Sequence, residues 1–131
     1  MQRRTLLVIA SAMLASGMAG FALAVHAEAS ALSTLSGRWQ RPDGGYILEI
    51  RGGDASGRIS ATYRNPNPIN VAKAEATRDS TALKVFVELR APDYPGSTYP
   101  LTYDAKQDRL VGIYYQAVQK QTFPVYFERM K

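Results

Sequence analysis

The amino-acid sequence predicts an all-β protein whose eight antiparallel strands form an up-and-down meander that closes into a small β-barrel. Two patterns indicate this fold. Clusters rich in glycine, proline, asparagine and aspartate recur at near-regular spacing after residue 36, and the segments between them mostly alternate apolar and polar residues. The clusters reverse the chain, whereas the alternation is typical of strands with one buried face. Short connections make sequential strands neighbours, and eight strands suffice to close a barrel.

Seven turn clusters set the boundaries of the predicted strands. The clusters are residues 42–45, 52–57, 65–68, 78–81, 91–96, 104–108 and 119–121. The strands are therefore expected within residues 37–41, 46–51, 58–64, 69–77, 82–90, 97–103, 109–118 and 122–131. The residues expected on buried faces are, in chain order, Tyr46, Leu48, Ile50, Ile59, Ala61, Tyr63, Leu83, Val85, Val87, Leu89, Tyr99, Leu101, Tyr103, Phe123, Val125 and Phe127.

Segment 69–77 is the least regular of the eight. Its alanines, Ala72, Ala74 and Ala76, fit a helix as well as a strand. The pair Asn67-Pro68 precedes the segment and a clearly alternating strand follows it. These neighbours favour a strand, because proline after asparagine is typical of a turn and the next strand needs a partner.

The start of the chain predicts a signal peptide over residues 1–27. Arg3 and Arg4 precede an apolar run from Leu6 to Val25, and small residues suited to cleavage follow, so that cleavage is expected after Ala27 or Ala29. The protein is therefore expected to be periplasmic or secreted. Two alternatives stay open: the arginine pair resembles a twin-arginine signal, and the run is nearly long enough to remain as a membrane anchor.

Cleavage after Ala27 removes 27 of the 131 residues and leaves 104, divided into an N-terminal arm (28–36) and a single barrel domain (37–131). The only histidine, His26, leaves with the leader, and the chain has no cysteine. This composition excludes a Ser-His-Asp triad, a Cys-His nucleophile and a His- or Cys-ligated metal site. We therefore expect no enzyme, no cofactor and no metal, and the open alternative is an enzyme that uses only Asp, Glu, Tyr or Lys.

The charge of the predicted mature chain is mildly positive. Without Arg3 and Arg4 it has 14 basic and 11 acidic residues, a net charge of +3, and the two signs are interspersed. A nucleic-acid-binding protein typically has a basic stripe with interleaved aromatic residues. We therefore expect no nucleic-acid partner, and no membrane span once the leader is removed.

Three strings carry a resemblance to the lipocalin/avidin superfamily of barrels. Leu35-Ser36-Gly37-Arg38-Trp39 resembles its Gly-x-Trp start, the segment 56–63 resembles its next strand, and 110–115 resembles a late strand. The resemblance implies a calycin-type barrel with Trp39 closing one end. It does not imply biotin, because the avidin site has several tryptophans and this chain has one. The chain also resembles small exported bacterial proteins in general.

A second resemblance concerns residues 29–39. Their Ser/Ala/Leu-rich arm before Gly37-Arg38-Trp39 is similar to the start of small periplasmic inhibitors of secreted metalloproteases. Those inhibitors are also eight-stranded barrels, and their arm enters the protease cleft. This resemblance implies a protein partner rather than a small ligand.

Tyrosine is the strongest compositional signal for a site, because all eight tyrosines lie after residue 36. Tyrosine combines apolar area with an orienting hydroxyl, which suits a ligand pocket or an interface. The candidate ligand-binding residues are Tyr46, Tyr63, Tyr94, Tyr99, Tyr114 and Asn67. Tyr94 belongs to a predicted turn, 94–99, and Asn67 to the amide-rich loop 65–70. The alternative is that these aromatic residues merely favour strands.

The leading hypothesis is an exported, non-enzymatic barrel that binds a small apolar or amphipathic ligand. The alternative is a protein-binding module, such as an inhibitor of an exported hydrolase, that acts through its N-terminal arm or the 94–99 loop. A hollow interior would favour the small ligand, and a filled interior would favour the protein partner.

Overall fold

Nine antiparallel strands make up almost all of the regular structure. The computed structural model describes residues 31–53 and 56–131. The strands are β1 (Gly37–Gln40), β2 (Ile47–Arg51), β3 (Ser60–Arg64), β4 (Pro68–Ile69), β5 (Val71–Asp79), β6 (Ala82–Ala91), β7 (Tyr94–Asp104), β8 (Arg109–Gln116) and β9 (Gln121–Arg129). The predicted leader, its cleavage sites and the first residues of the predicted arm lie outside the described residues. Within the described part of the chain, no helix has the length and apolarity that a membrane crossing requires.

The strands form one sheet in the order β4-β3-β2-β1-β9-β8-β7-β6-β5. The first and last strands pair through Trp39 with Arg129 and Gln40 with Glu128. The remaining seam, between β3 and β5, is bridged where the Ala76 amide donates to the Gly57 carbonyl oxygen at 2.8 Å. The sheet is thus a nearly closed antiparallel barrel, which confirms the predicted all-β, barrel-like fold.

The predicted count of eight strands is wrong, because the segment 69–77 contributes to two strands. Pro68 and Ile69 form β4, which folds back against Arg64 and Tyr63 of β3. The chain then continues as β5 and pairs along β6, with a register shift after Val71. The strand interpretation of this segment is confirmed and the helix alternative is wrong, because the main chain has partners in β3 and β6 that a helix would lack.

The predicted turn at 91–96 is also shorter than expected. The main chain reverses at Pro92 and Asp93 alone, and β7 begins at Tyr94. Gly96 has a φ of +88°, a conformation that glycine adopts without steric cost. The neighbouring strand β6 shifts register between Leu89 and Arg90, which accommodates this irregularity. The predicted 94–99 loop is therefore the first half of a strand.

Side chains fill the interior of the barrel. The fully buried large residues include one aromatic ring from each of β1, β3, β7 and β9, namely Trp39, Tyr63, Tyr99 and Phe127. The ring centroids of Tyr99 and Tyr63 are 5.5 Å apart, and those of Tyr99 and Phe127 are 5.3 Å apart. Rings from opposite sides of the barrel therefore touch. Phe123, expected inside, is 41% exposed because it lies near the start of β9 at the barrel rim.

The predicted N-terminal arm does not extend from the barrel over its described part. Residues 31–36 form a single helical turn, helical over 31–33, in which Leu32 and Leu35, three positions apart, both face the core and are almost fully buried. The Trp39 Nε1 group donates a hydrogen bond to the Leu35 carbonyl oxygen at 2.9 Å. Burial of two leucines outweighs any tendency of this segment to remain extended, so it closes one end of the barrel.

Candidate functional site

The end of the barrel opposite this N-terminal turn is built around a buried arginine. Antiparallel strands place the connections at 41–46, 65–67, 92–93 and 117–120 at this same end. The inward face of β1 carries Trp39, and two residues later the same face carries Arg41. Arg41 is only 6% exposed. We call this end, with its arginine and surrounding tyrosines, the Arg41 end.

Arg41 donates hydrogen bonds from both edges of its guanidinium group. Its Nη1 donates to the Tyr99 hydroxyl at 2.8 Å, and the Tyr99 and Tyr63 hydroxyl oxygens are 2.7 Å apart. On its other edge, Nε donates to Asp43 Oδ1 at 2.9 Å and Nη2 donates to Asp43 Oδ2 at 2.5 Å. The guanidinium is thus held by a bidentate carboxylate on one side and by a phenol pair on the other.

Aromatic rings surround this polar group. The guanidinium carbon of Arg41 lies 4.2 Å from the centroid of the Tyr46 ring, within the range of a cation–π contact. The rings of Tyr99 and Tyr114 stack with centroids 4.7 Å apart, and those of Tyr46 and Tyr63 lie 6.5 Å apart. The arginine is consequently enclosed by aromatic residues of β3, β7 and β8 and by Tyr46, which lies just before β2.

The electrostatics keep Arg41 and Asp43 charged and the phenols of Tyr63 and Tyr99 neutral. Burial raises the pKa of Tyr63, and the neighbouring Tyr99 raises it further. Burial likewise raises the pKa of Tyr99, to about 12. The hydrogen bond from Arg41 lowers the pKa of Asp43. Near neutral pH Arg41 and Asp43 are therefore both charged, and the phenols of Tyr63 and Tyr99 are protonated.

The raised pKa values of Tyr63 and Tyr99 predict a loss of stability at alkaline pH. Above pH 10 an unfolded chain releases the protons of Tyr63 and Tyr99, whereas the folded chain retains that of Tyr99 until about pH 12. The unfolded state then binds fewer protons, so the free energy of unfolding should fall from pH 10 to pH 12. Urea unfolding at pH 9 and pH 11.5, beside absorbance titration of tyrosinate, measures this.

The double variant Tyr63→Phe/Tyr99→Phe is the control and should have a flatter alkaline stability profile. Titration of all eight tyrosines near pH 10, without loss of stability, would contradict the burial of this phenol pair.

The structure brings together four of the six predicted site residues, Tyr46, Tyr63, Tyr99 and Tyr114. The fifth, Tyr94, accepts a hydrogen bond at its hydroxyl from the side-chain amide of Asn65 at 2.6 Å. The sixth, Asn67, has an exposed side chain, and its carbonyl oxygen accepts from the Asn65 amide within the turn.

Sequence reasoning missed Arg41 as a site residue. Arg41 lies two residues after the inward Trp39, so the alternation of inward and outward side chains predicts that Arg41 also points inward. A charged residue beside a turn is, however, ordinarily solvent-exposed.

A second inward arginine lies at the opposite end. Arg129 follows Phe127 on the inward face of β9, and its guanidinium carbon lies 4.2 Å from the Trp39 ring centroid. Its Nε donates to Asp108 Oδ2 at 2.8 Å, and Nη1 donates to the Ser36 carbonyl oxygen at 2.7 Å. These bonds attach the N-terminal turn to the last strand, so this arginine has a structural role.

Two clefts open on the outside of the barrel. One, of about 340 Å³, lies over β5, β6 and β7 beside Phe86 and Pro100. Another, of about 330 Å³, separates the Pro42–Asp43 turn from Pro124 and Tyr126 of β9. The described residues contain no group of three or more His, Cys, Asp or Glu side chains arranged to hold a metal ion.

All buried side-chain nitrogen and oxygen atoms of the described residues have hydrogen-bond partners. The Arg41 end is thus internally satisfied, and a ligand would have to exchange with one of its present partners. Comparison with protein-family models, with curated proteins and with solved structures found no match for this chain.

Proposed function

We propose that this protein is a non-enzymatic binding protein for a small amphipathic anion, which binds at the Arg41 end. One observation carries the proposal: tyrosines from β3, β7 and β8, together with Tyr46 just before β2, converge on a buried arginine whose only ionic partner among the described residues comes from an exposed turn. A protein that needed only a packed core could use an apolar residue at position 41. A buried charge held by a surface carboxylate is suited to anion exchange.

Asp43 indicates where the anion would bind. Its side chain is 60% exposed, whereas that of Arg41 is 7% exposed, so the outward path from the guanidinium passes through the Asp43 carboxylate. This carboxylate occupies the Nε and Nη2 edge of the guanidinium in the bidentate geometry that arginine prefers. A ligand carboxylate of the same shape would take this edge if the Pro42–Asp43 turn moved outward.

The surroundings indicate an apolar body of limited size. Tyr46, Tyr114 and the exposed ring of Phe123 lie around the rim, and the ring centroids of Tyr114 and Phe123 are 6.5 Å apart. Below them Tyr99 and Phe127 fill the barrel. A ligand would therefore rest on the rim with its acidic group toward Arg41, rather than enter a deep cavity.

The non-enzymatic part of the proposal rests on the protonation states of this cluster. General acid–base catalysis needs a group whose pKa lies near the working pH. Burial raises the pKa values of Tyr63 and Tyr99, and the hydrogen bond from Arg41 lowers the pKa of the Asp43 carboxylate. None of these groups is thereby tuned for proton transfer near neutral pH.

Isothermal titration with 1-naphthoate and with the neutral 1-naphthamide tests the proposed site. We expect the carboxylate to bind and the amide to bind at least about 10-fold more weakly, since the two differ in the charge that Arg41 recognises. Asp43→Asn should strengthen naphthoate binding by removing the competing charge, and Arg41→Gln should abolish it. The matched control Arg51→Gln alters an exposed arginine elsewhere and should leave binding unchanged. Equal affinity for acid and amide, or full binding by Arg41→Gln, would reject the site.

The protein-binding alternative retains one argument. Because side chains fill the interior, binding of a protein partner is favoured over binding of a ligand that would have to enter the barrel. Its two predicted contact segments are, however, engaged within the fold: residues 31–36 close the barrel end through Leu32 and Leu35, and residues 94–99 pair as part of β7. A protein partner would therefore have to contact another surface.

A further inference from the structure

The first half of β9 has one side of its main chain without a neighbouring strand. On its β8 side, β9 is paired from Gln121 to Glu128. On its β1 side, it is paired only at Glu128 and Arg129. Among the described residues, no strand lies along the β1 side of β9 before Glu128. We call this side of residues 121–127 the open edge.

The open edge exists because β1 ends early. The next residue of the chain that could pair with β9 is Pro42, which has no main-chain N–H group. The chain then turns back toward β2, where the Arg41 amide donates to the Tyr46 carbonyl oxygen at 3.1 Å. The exposure of β9 shows the same division: residues 121–124 are all exposed, whereas buried and exposed residues alternate over the next four positions.

Three residues of the open edge direct their main-chain groups toward the missing neighbour. The Met130 amide donates to the Arg38 carbonyl oxygen of β1 at 2.8 Å. Because alternate residues of a strand direct their N–H and C=O groups to the same side, Thr122, Pro124 and Tyr126 face the open edge. Since proline has no N–H group, the edge offers three carbonyl oxygens and two N–H groups. The natural partner of such a row is another extended main chain.

A cleft connects the open edge to the Arg41 end. It has a volume of about 330 Å³, with residues 124–126 on one wall and the Pro42–Asp43 turn on the other. The Asp43 carboxylate also holds the Nε and Nη2 edge of Arg41. An acidic group that replaced this carboxylate would therefore approach Arg41 from the cleft, and the rest of its molecule would lie beside the open edge.

We propose that the ligand of the Arg41 end is the C-terminal segment of an extended peptide, with its terminal carboxylate on Arg41 and its main chain paired with the open edge of β9. This inference rests on the proposed function and names the class of anion. A terminal carboxylate has the planar shape of the Asp43 carboxylate, so it suits the same bidentate geometry. The peptide main chain supplies donors for the carbonyl oxygens of the edge and acceptors for its N–H groups, which a simple aromatic acid lacks.

The position of Pro124 argues against a second copy of this chain as the occupant. Two β9 strands that paired through their open edges would run antiparallel about a two-fold axis. Pro124 lies at the middle of the open edge, so each copy would present a proline close to that axis, where the pairing needs N–H groups. Proline on an edge strand is a typical device against pairing between copies. A peptide without proline keeps all its N–H groups and avoids this conflict.

Isothermal titration with the peptide acetyl-Thr-Val-Thr-Val-Phe tests the proposal, because its residues favour an extended conformation. We expect the free acid to bind and the C-terminal amide to bind at least about 10-fold more weakly. Two further peptides have an N-methyl group at either the third or the fourth residue. One of them should bind at least about 10-fold more weakly and the other with unchanged affinity, because only alternate N–H groups of a strand face the edge.

Pro124→Ala adds one N–H group to the open edge. Binding of the free-acid peptide should become about 5-fold stronger, the effect of about one additional hydrogen bond, and binding of 1-naphthoate should not change. Pro100→Ala is the matched control, because Pro100 lies in β7 between β6 and β8, so that its new N–H group is inside the sheet. An equal effect of the two alanine variants on peptide affinity would contradict the pairing.

Hydrogen exchange locates the bound main chain directly. Exchange of the Tyr126 amide should slow in the peptide complex and stay unchanged in the 1-naphthoate complex. Equal affinity of the two N-methylated peptides, or unchanged Tyr126 exchange in the peptide complex, would overturn the inference, and naphthoate binding would then leave the anion site standing. Failure of the proposed function is recognised separately, because naphthoate has no main chain to pair with the edge.

Discussion

Replacement of Tyr99 by alanine is expected to destabilise the barrel by about 4 kcal/mol, since removal of a fully buried aromatic ring typically costs about 3–5 kcal/mol. The ring of Tyr99 stacks on Tyr114 and packs edge-on against Phe127. Its hydroxyl also partners Arg41 and Tyr63. The variant therefore leaves both a cavity and unpartnered buried polar groups. Because a domain of this size has a total stability of about 5–15 kcal/mol, urea unfolding should show a large fall in the midpoint.

Tyr99→Phe separates the two contributions. It keeps the ring and removes the hydroxyl, so we expect a loss of about 1–3 kcal/mol from the unpartnered Arg41 and Tyr63 groups. The control Tyr126→Phe removes a hydroxyl from a partly exposed ring on the outer surface and should change stability by less than about 0.5 kcal/mol. Equal effects of the two phenylalanine variants would show that the phenol–arginine network adds nothing to stability.

Arg129→Met is expected to lower the free energy of unfolding by about 2–3 kcal/mol, a smaller loss than that of Tyr99→Ala. Arg129 joins the N-terminal turn, Asp108 and the face of Trp39. Because its side chain is 29% exposed, the ion pair with Asp108 is partly screened by water. Most of the loss is therefore expected from the bonds to the Thr34 and Ser36 carbonyl oxygens and from the contact with Trp39.

Two measurements distinguish this role from a general loss of stability. Hydrogen exchange of residues 31–36 should accelerate in Arg129→Met more than exchange in β6, and the emission of Trp39 should shift to longer wavelength as water reaches it. Arg51→Met, which alters an arginine with 79% side-chain exposure, is the matched control and should change neither. Unchanged exchange over residues 31–36 would contradict the proposed attachment.

Alternation along single strands predicted most of the interior correctly. Leu48, Ile50, Val85, Val87 and Leu89 are all buried as expected. The pattern succeeds because successive side chains of a strand point to opposite faces, a geometric rule that needs no knowledge of distant contacts. The same rule extended by one step would have placed Arg41 and Arg129 inside the barrel. Their charge argued against these positions, which Arg41 takes through its bonds to Asp43 and Tyr99, and which the half-buried Arg129 takes through its bonds to Asp108 and to the N-terminal turn.

The errors concern features that depend on partners distant in sequence. Pro68 and Ile69 form a strand of their own because β3 lies beside them. The Gly- and Pro-containing stretch after Tyr94 looks like a turn but pairs with β6, which holds it extended. Leu32 and Leu35 belong to the predicted N-terminal arm, and they are buried in the core because the end of the barrel is open to them.

The sequence by itself determined the all-β class, the inward and outward faces of the strands and the abundance of tyrosine. The tertiary structure decided which tyrosines meet. Tyr63 and Tyr99 are 36 positions apart, and Arg41 and Tyr99 are 58 positions apart, yet each pair is joined by a hydrogen bond. Local patterns cannot specify such pairs, because they depend on strand order, register and closure of the sheet, which arise only when the whole chain packs.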